Sequence, residues 1–144
     1  MFRALVAFVL IGSGSLPAQG DTLAGPIPAE VIRIIDGDTI KVRATIWLNQ
    51  TIVVSVRLRG IDAPELFRPK CPAEKTLARA AKASVATVTP VGSQVWLSEI
   101  SRDKYGGRVV ATVTTPGGQI LSTHLLAHGQ AIIMGGAKPW CEAS

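Results

Sequence analysis

The sequence predicts a mostly β domain of the α+β class, with a five-stranded barrel, one long helix and one short helix. Two observations support this fold class. Apolar and polar residues alternate with period two in several short segments that turn-forming residues separate. An alanine-rich segment with helical periodicity lies between the third and fourth of these segments. Five strands with a helix at that position indicate an OB-like barrel.

The first three strands are predicted to form a meander with tight turns. Residues 30–35 are rich in β-branched side chains, and the dipeptide Asp36-Gly37 that follows them is a strong hairpin signal. Residues 39–48 and 51–59 both alternate, and Asn49-Gln50 lies between them as a turn. The alternation predicts that one face of these two strands carries Ile40, Val42, Ala44, Ile46, Ile52, Val54, Val56 and Leu58.

The long helix follows a proline-containing loop at residues 60–70. Pro72 suits the first helical turn, and Glu74 adds negative charge where the helix dipole favours it. Pro90 and Gly92 end the helix. Its predicted apolar stripe consists of Leu77, Ala80, Ala81, Ser84, Val85 and Val88.

Two more strands and a short helix complete the predicted fold. The strands are expected at residues 95–101 and 108–114, on either side of a turn at residues 103–107. The short helix is expected over residues 120–128 and ends at Gly129.

Residues 1–20 have the pattern of a signal peptide. Arg3 supplies the positive start, an unbroken apolar run follows at residues 4–11, and small residues lead to a cleavage site. We expect cleavage before Asp21, with a cut after Ala18 as the alternative. A membrane anchor is the other interpretation, but the apolar run is shorter than the roughly 20 residues that span a bilayer.

The leader sets the predicted domain organisation. Residues 21–29 contain several Gly and Pro residues and are expected to form an irregular lead-in. Residues 30–144 are expected to form one domain with one core. We therefore predict an exported protein, periplasmic or secreted, without a membrane span in its mature form.

The two cysteines, Cys71 and Cys141, are predicted to form one disulfide, because an even count behind an export signal favours pairing. The bond would tie the tail to the start of the long helix. Two cysteines are too few for a structural zinc site, although His124 and His128 could in principle complete one.

The formal charge of +5 is compatible with a polyanionic substrate, because Lys and Arg attract phosphate backbones. This signal is weak alone, since many basic proteins bind no nucleic acid.

Two segments, residues 35–39 and 57–65, carry the residues suited to phosphodiester chemistry. Asp38 and Asp62 could supply the carboxylate oxygens that hard cations such as Ca²⁺ prefer, if the hairpin end and the later loop meet. Arg57 and Glu65 stand near them, as a cation for phosphate and a carboxylate to direct water.

The chain resembles the staphylococcal nuclease family in three motifs that occur in the family's order. They are the Asp-Gly-Asp-Thr hairpin at residues 36–39, the Arg-x-x-x-x-Asp-x-Pro-Glu run at residues 57–65, and the turn Asp-Lys-Tyr-Gly-Gly-Arg at residues 103–108. Any one of these motifs commonly occurs by chance. Three in order, with a helix between the last two, form a specific signal over residues 30–131.

The resemblance implies a role for each matching residue. Asp38 and Asp62 are similar to the family's direct calcium carboxylates, and Ala63 matches a position that ligates through its backbone carbonyl. Glu65 resembles the residue that accepts a proton from the attacking water or orients it. Phosphate contacts are implied for Arg57, Arg108, Lys104 and Tyr105.

The resemblance therefore implies a calcium-dependent nuclease that acts on DNA, RNA or both. Little in the chain could read bases, so we expect little sequence preference, and we also expect a monomer. The alternative is a non-catalytic OB-like module that binds nucleic acid or a partner protein. The three carboxylates weigh against the module, because they would repel nucleic acid without a cation between them.

Two departures from the family pattern affect these implied roles. The turn before Arg108 carries one glycine more than the family's, so Arg108 could reach phosphate from a shifted backbone. Residues 130–136 contain no tyrosine. The resemblance therefore implies weaker stacking on a base there.

Overall fold

The computed structural model describes residues 21–142, which form eight strands and two helices. In chain order these elements are β1 (Thr22–Leu23), β2 (Ile27–Ile34), β3 (Thr39–Trp47), β4 (Gln50–Leu58), β5 (Ile61–Asp62), α1 (Pro72–Val88), β6 (Gln94–Arg102), β7 (Arg108–Thr114), α2 (Leu121–Ala127) and β8 (Ile132–Ile133).

Five strands close into a mixed barrel, which confirms the predicted fold class. The strand order is β1-β6-β2-β3-β4-β7, and an additional pairing between β6 and β7 closes the sheet. Neighbouring strands are antiparallel except for β4 and β7, which run parallel. The five barrel strands β2, β3, β4, β6 and β7 correspond to the five predicted from alternation.

The barrel interior is filled by aliphatic side chains that alternate along the strands. Ile40, Val42 and Ala44 on β3 and Val56 and Leu58 on β4 are buried, as the alternation predicts. The alternation fails at the far end of this hairpin, because Ile46 and Ile52 are exposed there together with Trp47 and Leu48. These two strands extend beyond the part of the barrel that other elements cover.

Helix α1 begins after Cys71, whose sulfur accepts the N–H of Glu74, and has Pro72 in its first turn. Its predicted buried stripe is partly wrong. The fully buried positions are Glu74, Ala78, Ala81 and Val85, while Leu77 and Ala80 are exposed. The buried face is rotated toward Glu74 because its carboxylate finds hydrogen-bond donors inside the fold, as described below.

Residues 21–29 were expected to be irregular, but they contain paired strands. Thr22 and Leu23 of β1 pair with Ser101 and Ile100 of β6, and β2 already pairs with β6 from Ile27 onward. The backbone hydrogen bonds of β6 thus override the Gly and Pro content of this segment. The expected signal peptide, residues 1–20, lies outside the described residues.

A disulfide joins Cys71 to Cys141, which confirms the predicted pairing and excludes a zinc site built on these thiols. The bond ties the C-terminal tail to the start of α1, with the buried Trp140 beside it. His124 instead contacts Ser84 of α1 through Nε2. Among residues 21–142, no helix has both the length and the apolarity to cross a membrane.

Candidate active site

The charged residues singled out in the sequence converge on one open cavity of about 890 Å³ at one end of the barrel. Four parts of the chain build its wall: the β2–β3 turn, the end of β4 with the segment after it, the β6–β7 turn, and the residues after β8. The charged side chains on this wall are Asp36, Asp38, Arg57, Arg59, Asp62, Glu65, Asp103, Lys104 and Arg108.

The β2–β3 turn aims Asp38 into the fold. The N–H groups of Ile35 and Asp36 both donate to Thr39 O and close the turn. Asp36 Oδ1 accepts the N–H of Asp38 at 3.1 Å, and the Thr39 hydroxyl donates to Asp38 Oδ1 at 3.0 Å. The main chain of Asp38 also accepts the N–H of Leu58, so the turn is fixed to the end of β4.

Gly37 is required in this turn by space. A Cβ at Gly37 would lie 2.7 Å from the Cβ of Ala81 on α1 and 2.9 Å from the Cβ of Ala63. The turn therefore packs directly against the long helix and against the segment that carries Asp62. Only glycine permits this approach.

Arg57 bridges Asp38 and Asp62. Its Nη1 lies 2.8 Å from Asp38 Oδ1, its Nη2 is paired with Asp62 Oδ1, and the same Nη2 donates to Ile61 O. Burial opposes the charge of Arg57, but the two carboxylates outweigh burial and raise its pKa above the ordinary value. The two aspartates expected to act together are thus held within reach of one cation.

The remaining oxygens of these aspartates meet backbone donors. Asp38 Oδ2 accepts the N–H of Ala63 at 3.0 Å, and Asp62 Oδ2 accepts that of Gly135 at 3.4 Å. Asp62 belongs to β5, which pairs with β8 through Asp62 and Ile132. The chain after α2 therefore returns to the cavity and helps to place Asp62.

Asp36 was expected to serve the turn, and its side chain does accept a turn N–H. Burial, and then the negative charge of Asp38, raise the pKa of Asp36 to about 6. The cavity therefore contains a carboxyl group, that of Asp36, whose pKa is well above the ordinary range.

Glu65 lies on the cavity wall with an exposed side chain. Its main-chain N–H donates to Glu74 Oε1 at 3.1 Å, and Glu74 Oε2 accepts the N–H of Lys70 at 2.7 Å. From the sequence, Glu74 is expected only to add negative charge at the start of the helix. Its position three residues after the N-cap Cys71 was the available signal, because a Glu there commonly reaches back to main-chain donors.

The β6–β7 turn brings Arg108 to the same cavity despite its additional glycine. Gly107 has φ +75°, a left-handed conformation that suits glycine, and the turn closes through Asp103 N–H and Arg108 O. The Arg108 guanidinium pairs with Asp103 and lies 4.8 Å from the Tyr105 ring centroid. Lys104 Nζ is 5.1 Å from the same centroid.

The pairing with Arg108 favours the charged form of Asp103. Partial desolvation opposes ionisation, but the hydrogen bonds from Arg108 and from Lys104 N–H keep the pKa of Asp103 below its ordinary value.

The hydrogen-bond acceptors of Arg59 lie on the two strands that close the barrel, β6 and β7. The guanidinium donates to Glu99 O, Ser101 Oγ and Val110 O. These acceptors belong to the bulged part of β6 and to β7, so Arg59 ties the two closing strands together.

The cavity offers the carboxylate oxygens of its acidic side chains, and oxygen ligands are those that a hard cation prefers. The arrangement of these side chains is less suited to a metal ion. Within residues 21–142, no three His, Cys, Asp or Glu side chains are grouped so as to hold a metal ion. Arg57 lies between Asp38 and Asp62, so a cation bound by both carboxylates would compete with its guanidinium.

Comparison with known proteins agrees with this geometry. The family model described as "Staphylococcal nuclease homologue" matches residues 55–142, more than half of the chain. The chain belongs to the staphylococcal nuclease family. The family match includes Arg57, Asp62, Glu65 and Arg108 and begins after the turn that holds Asp38.

The micrococcal nuclease of Shigella flexneri is a relative of this chain and is 36% identical to it over 128 residues. The alignment covers 87% of this chain and 63% of the relative. The chain therefore spans less than two thirds of the length of that protein.

Proposed function

We propose that this protein is an exported calcium-dependent nuclease that hydrolyses phosphodiester bonds of DNA, RNA or both with little sequence preference. One observation carries the proposal: Arg57 joins Asp38 to Asp62 in the cavity that Glu65 and Arg108 also line. Family membership and the name of the Shigella flexneri relative support it. The signal-peptide pattern of residues 1–20 supports export.

The two arginines are suited to the charge that phosphodiester hydrolysis develops. Attack by water places extra negative charge on the oxygens around phosphorus, and a planar guanidinium can donate to two of those oxygens together. Arg57 and Arg108 enter the cavity from the parallel pair β4 and β7, in which Arg57 is opposite Val110. Lys104 and Tyr105 would contact the same phosphate or its neighbour.

Glu65 is assigned the proton transfer. Its exposed carboxylate would take a proton from the attacking water as the new P–O bond forms and the ester P–O bond breaks, and the departing alkoxide would take a proton from solvent. Asp38, Asp62 and the Ala63 carbonyl would hold calcium. The bound ion would polarise the phosphoryl oxygen and orient the substrate.

The decisive experiment compares cleavage of single-stranded DNA and of RNA by the purified protein with calcium and with a chelator. We expect cleavage only with calcium. Arg57→Ala and Glu65→Gln should each lower kcat by about 10²–10³-fold, the usual effect of removing one stabilising group.

Matched controls are available outside the cavity. Arg43 and Glu30 form an exposed ion pair with an Nη1 to Oε2 distance of 3.3 Å, so Arg43→Ala and Glu30→Gln remove the same groups outside the cavity. These variants should retain the wild-type rate. Nucleic-acid binding without cleavage in calcium, magnesium or manganese would instead support the binding module.

A further inference from the structure

We propose that Glu74 is a positioning residue, which fixes the main chain of Glu65 and thereby the direction of its catalytic carboxylate. The inference rests on the proposed nuclease function. It assigns a task to a buried acid that the mechanism itself does not use.

Glu74 holds both ends of the loop that carries Glu65. Its Oε1 accepts the N–H of Glu65 at 3.1 Å, and its Oε2 accepts the N–H of Lys70 at 2.7 Å. Each carboxylate oxygen thus binds one end of the segment 65–70. A rotation of either peptide group would break one of the two bonds.

The environment of Glu74 supplies hydrogen-bond donors to both of its carboxyl oxygens. The residue is 2% exposed, and no salt bridge involves it among the residues that the structure describes. A buried carboxylate needs hydrogen bonds to offset its desolvation, and the two main-chain donors supply them. The first turn of α1 adds the favourable end of the helix dipole.

The start of α1 is held by a covalent bond. Cys71 is the N-cap of the helix, and its disulfide with Cys141 joins that end to the C-terminal tail. On the other side of the loop, Asp62 is held by Arg57 and by the β5–β8 pairing. Because the Glu65 side chain itself is exposed, its direction depends on the main chain that Glu74 holds.

The test separates positioning from simple stabilisation. Glu74→Gln keeps the side-chain shape but leaves an amide nitrogen facing one of the two N–H donors. Val85→Ala is the matched control, since Val85 is buried on the same face of α1 and packs in the hydrophobic core. Both variants should lose stability in urea unfolding.

With a short single-stranded DNA substrate and saturating calcium, we expect Glu74→Gln to lower kcat by roughly 10- to 100-fold, the range found when a supporting residue is lost. KM and the calcium dissociation constant should stay close to wild type. Val85→Ala should retain kcat.

A double-mutant cycle gives the sharper readout. In a Glu65→Gln background, the Glu74→Gln change should cause little further loss of kcat, because the group that Glu74 positions is already disabled. Full additivity of the two losses would overturn the proposal.

Glu74→Asp is the second variant if Glu74→Gln does not fold. It keeps the negative charge at the helix start but withdraws the carboxylate by one methylene. It should also lower kcat, and a wild-type kcat in Glu74→Asp would contradict positioning.

Amide exchange provides a readout independent of catalysis. The N–H groups of Glu65 and Lys70 should exchange slowly in the wild type. The acceleration in Glu74→Gln should exceed that in Val85→Ala, which can speed exchange only through its loss of global stability. A wild-type protein that protects these amides but cleaves no substrate would overturn the nuclease assignment and the positioning role with it. A cleaving protein in which Glu74→Gln retains wild-type kcat would overturn the role of Glu74 alone.

Discussion

At the scale of single residues, Arg57 and Arg59 show how two similar side chains at the end of one strand take different tasks. Arg57 is paired with carboxylates that face the cavity. Arg59 donates to main-chain carbonyl groups of the closing strands, including that of Glu99, which has a φ of 50° at the bulge in β6. Such a left-handed residue persists where its surroundings hold it.

Arg59→Ala should therefore lower stability more than activity. Loss of the guanidinium removes a donor from two carbonyl acceptors, those of Glu99 and Val110, and we expect the free energy of unfolding to fall by roughly 1–3 kcal/mol. Urea unfolding measures this loss, and steady-state kinetics with DNA should show a smaller decrease in kcat than Arg57→Ala. The opposite order of the two kcat losses would assign Arg59 to the substrate.

Asp36 should make the stability of the metal-free protein fall as the pH rises. Its pKa is about 6 in the folded protein and about 3.9 in an unfolded chain, so the folded state binds the proton more tightly. Its contribution to stability is complete below about pH 4 and is lost as the pH rises through about 6. Asp36→Asn should flatten this part of the profile, as urea unfolding at pH 4 and pH 7 would show.

The control is Asp21→Asn, which removes an exposed aspartate from a surface ion pair with Arg102. Its stability difference from wild type should not follow the same pH profile. An unchanged profile in Asp36→Asn would contradict the assignment of this titration to Asp36.

At the scale of elements, the β2–β3 turn and helix α1 are fitted to each other at Gly37. The Cβ of Ala81 occupies the space that a side chain at Gly37 would need. The positions of the carboxylates at the turn therefore depend on how closely the β2–β3 hairpin packs against helix α1.

Gly37→Ala should destabilise the protein by about 1–3 kcal/mol, the usual cost of overpacking. Ala81→Gly should itself cost about 1 kcal/mol in the helix. The double variant should be more stable than the sum of the two losses predicts, because removing the Ala81 methyl group relieves one of the two close contacts of the new methyl group, while the contact with Ala63 remains. Urea unfolding of the four proteins measures this coupling, and strict additivity would show that the two positions do not compete for space.

The sequence predicted the long elements well and the short ones poorly, for a physical reason. Strands of seven to nine residues show a period of two, whereas β1, β5 and β8 have two residues each and show no period. The buried face of α1 was misjudged because hydrophobicity cannot register Glu74, whose burial depends on donors in a loop. The apolar hairpin end was misjudged because alternation does not show where a barrel stops.

At the scale of the whole molecule, the order of the three motifs was enough to propose the site. The structure brings Asp38, Asp62, Glu65, Arg57 and Arg108 to one cavity. The partners of Arg59 and Glu74 could not be foreseen, because they lie on elements that meet only when the barrel closes.

The disulfide should contribute substantially to the stability of the whole domain. Cys71 and Cys141 are separated by 70 positions, and the chain-entropy model gives about 4 kcal/mol for a loop of that size. The double variant Cys71→Ala/Cys141→Ala should lower the free energy of unfolding by roughly 2–5 kcal/mol in urea. Adding a reductant should destabilise the wild type but leave the double variant unchanged. Equal sensitivity of both proteins to reductant would contradict this explanation.

The parallel ladder between β4 and β7 has a consequence for how the protein is made. Ser55 is opposite Arg108 in that ladder, although α1 and β6 separate the two strands in the chain. A polypeptide still emerging from the ribosome, with β7 not yet synthesised, carries the acidic turn and Arg57 but lacks the second guanidinium. Under the proposed function, the cavity would therefore be complete only once the last barrel strand, which carries Arg108, has been added.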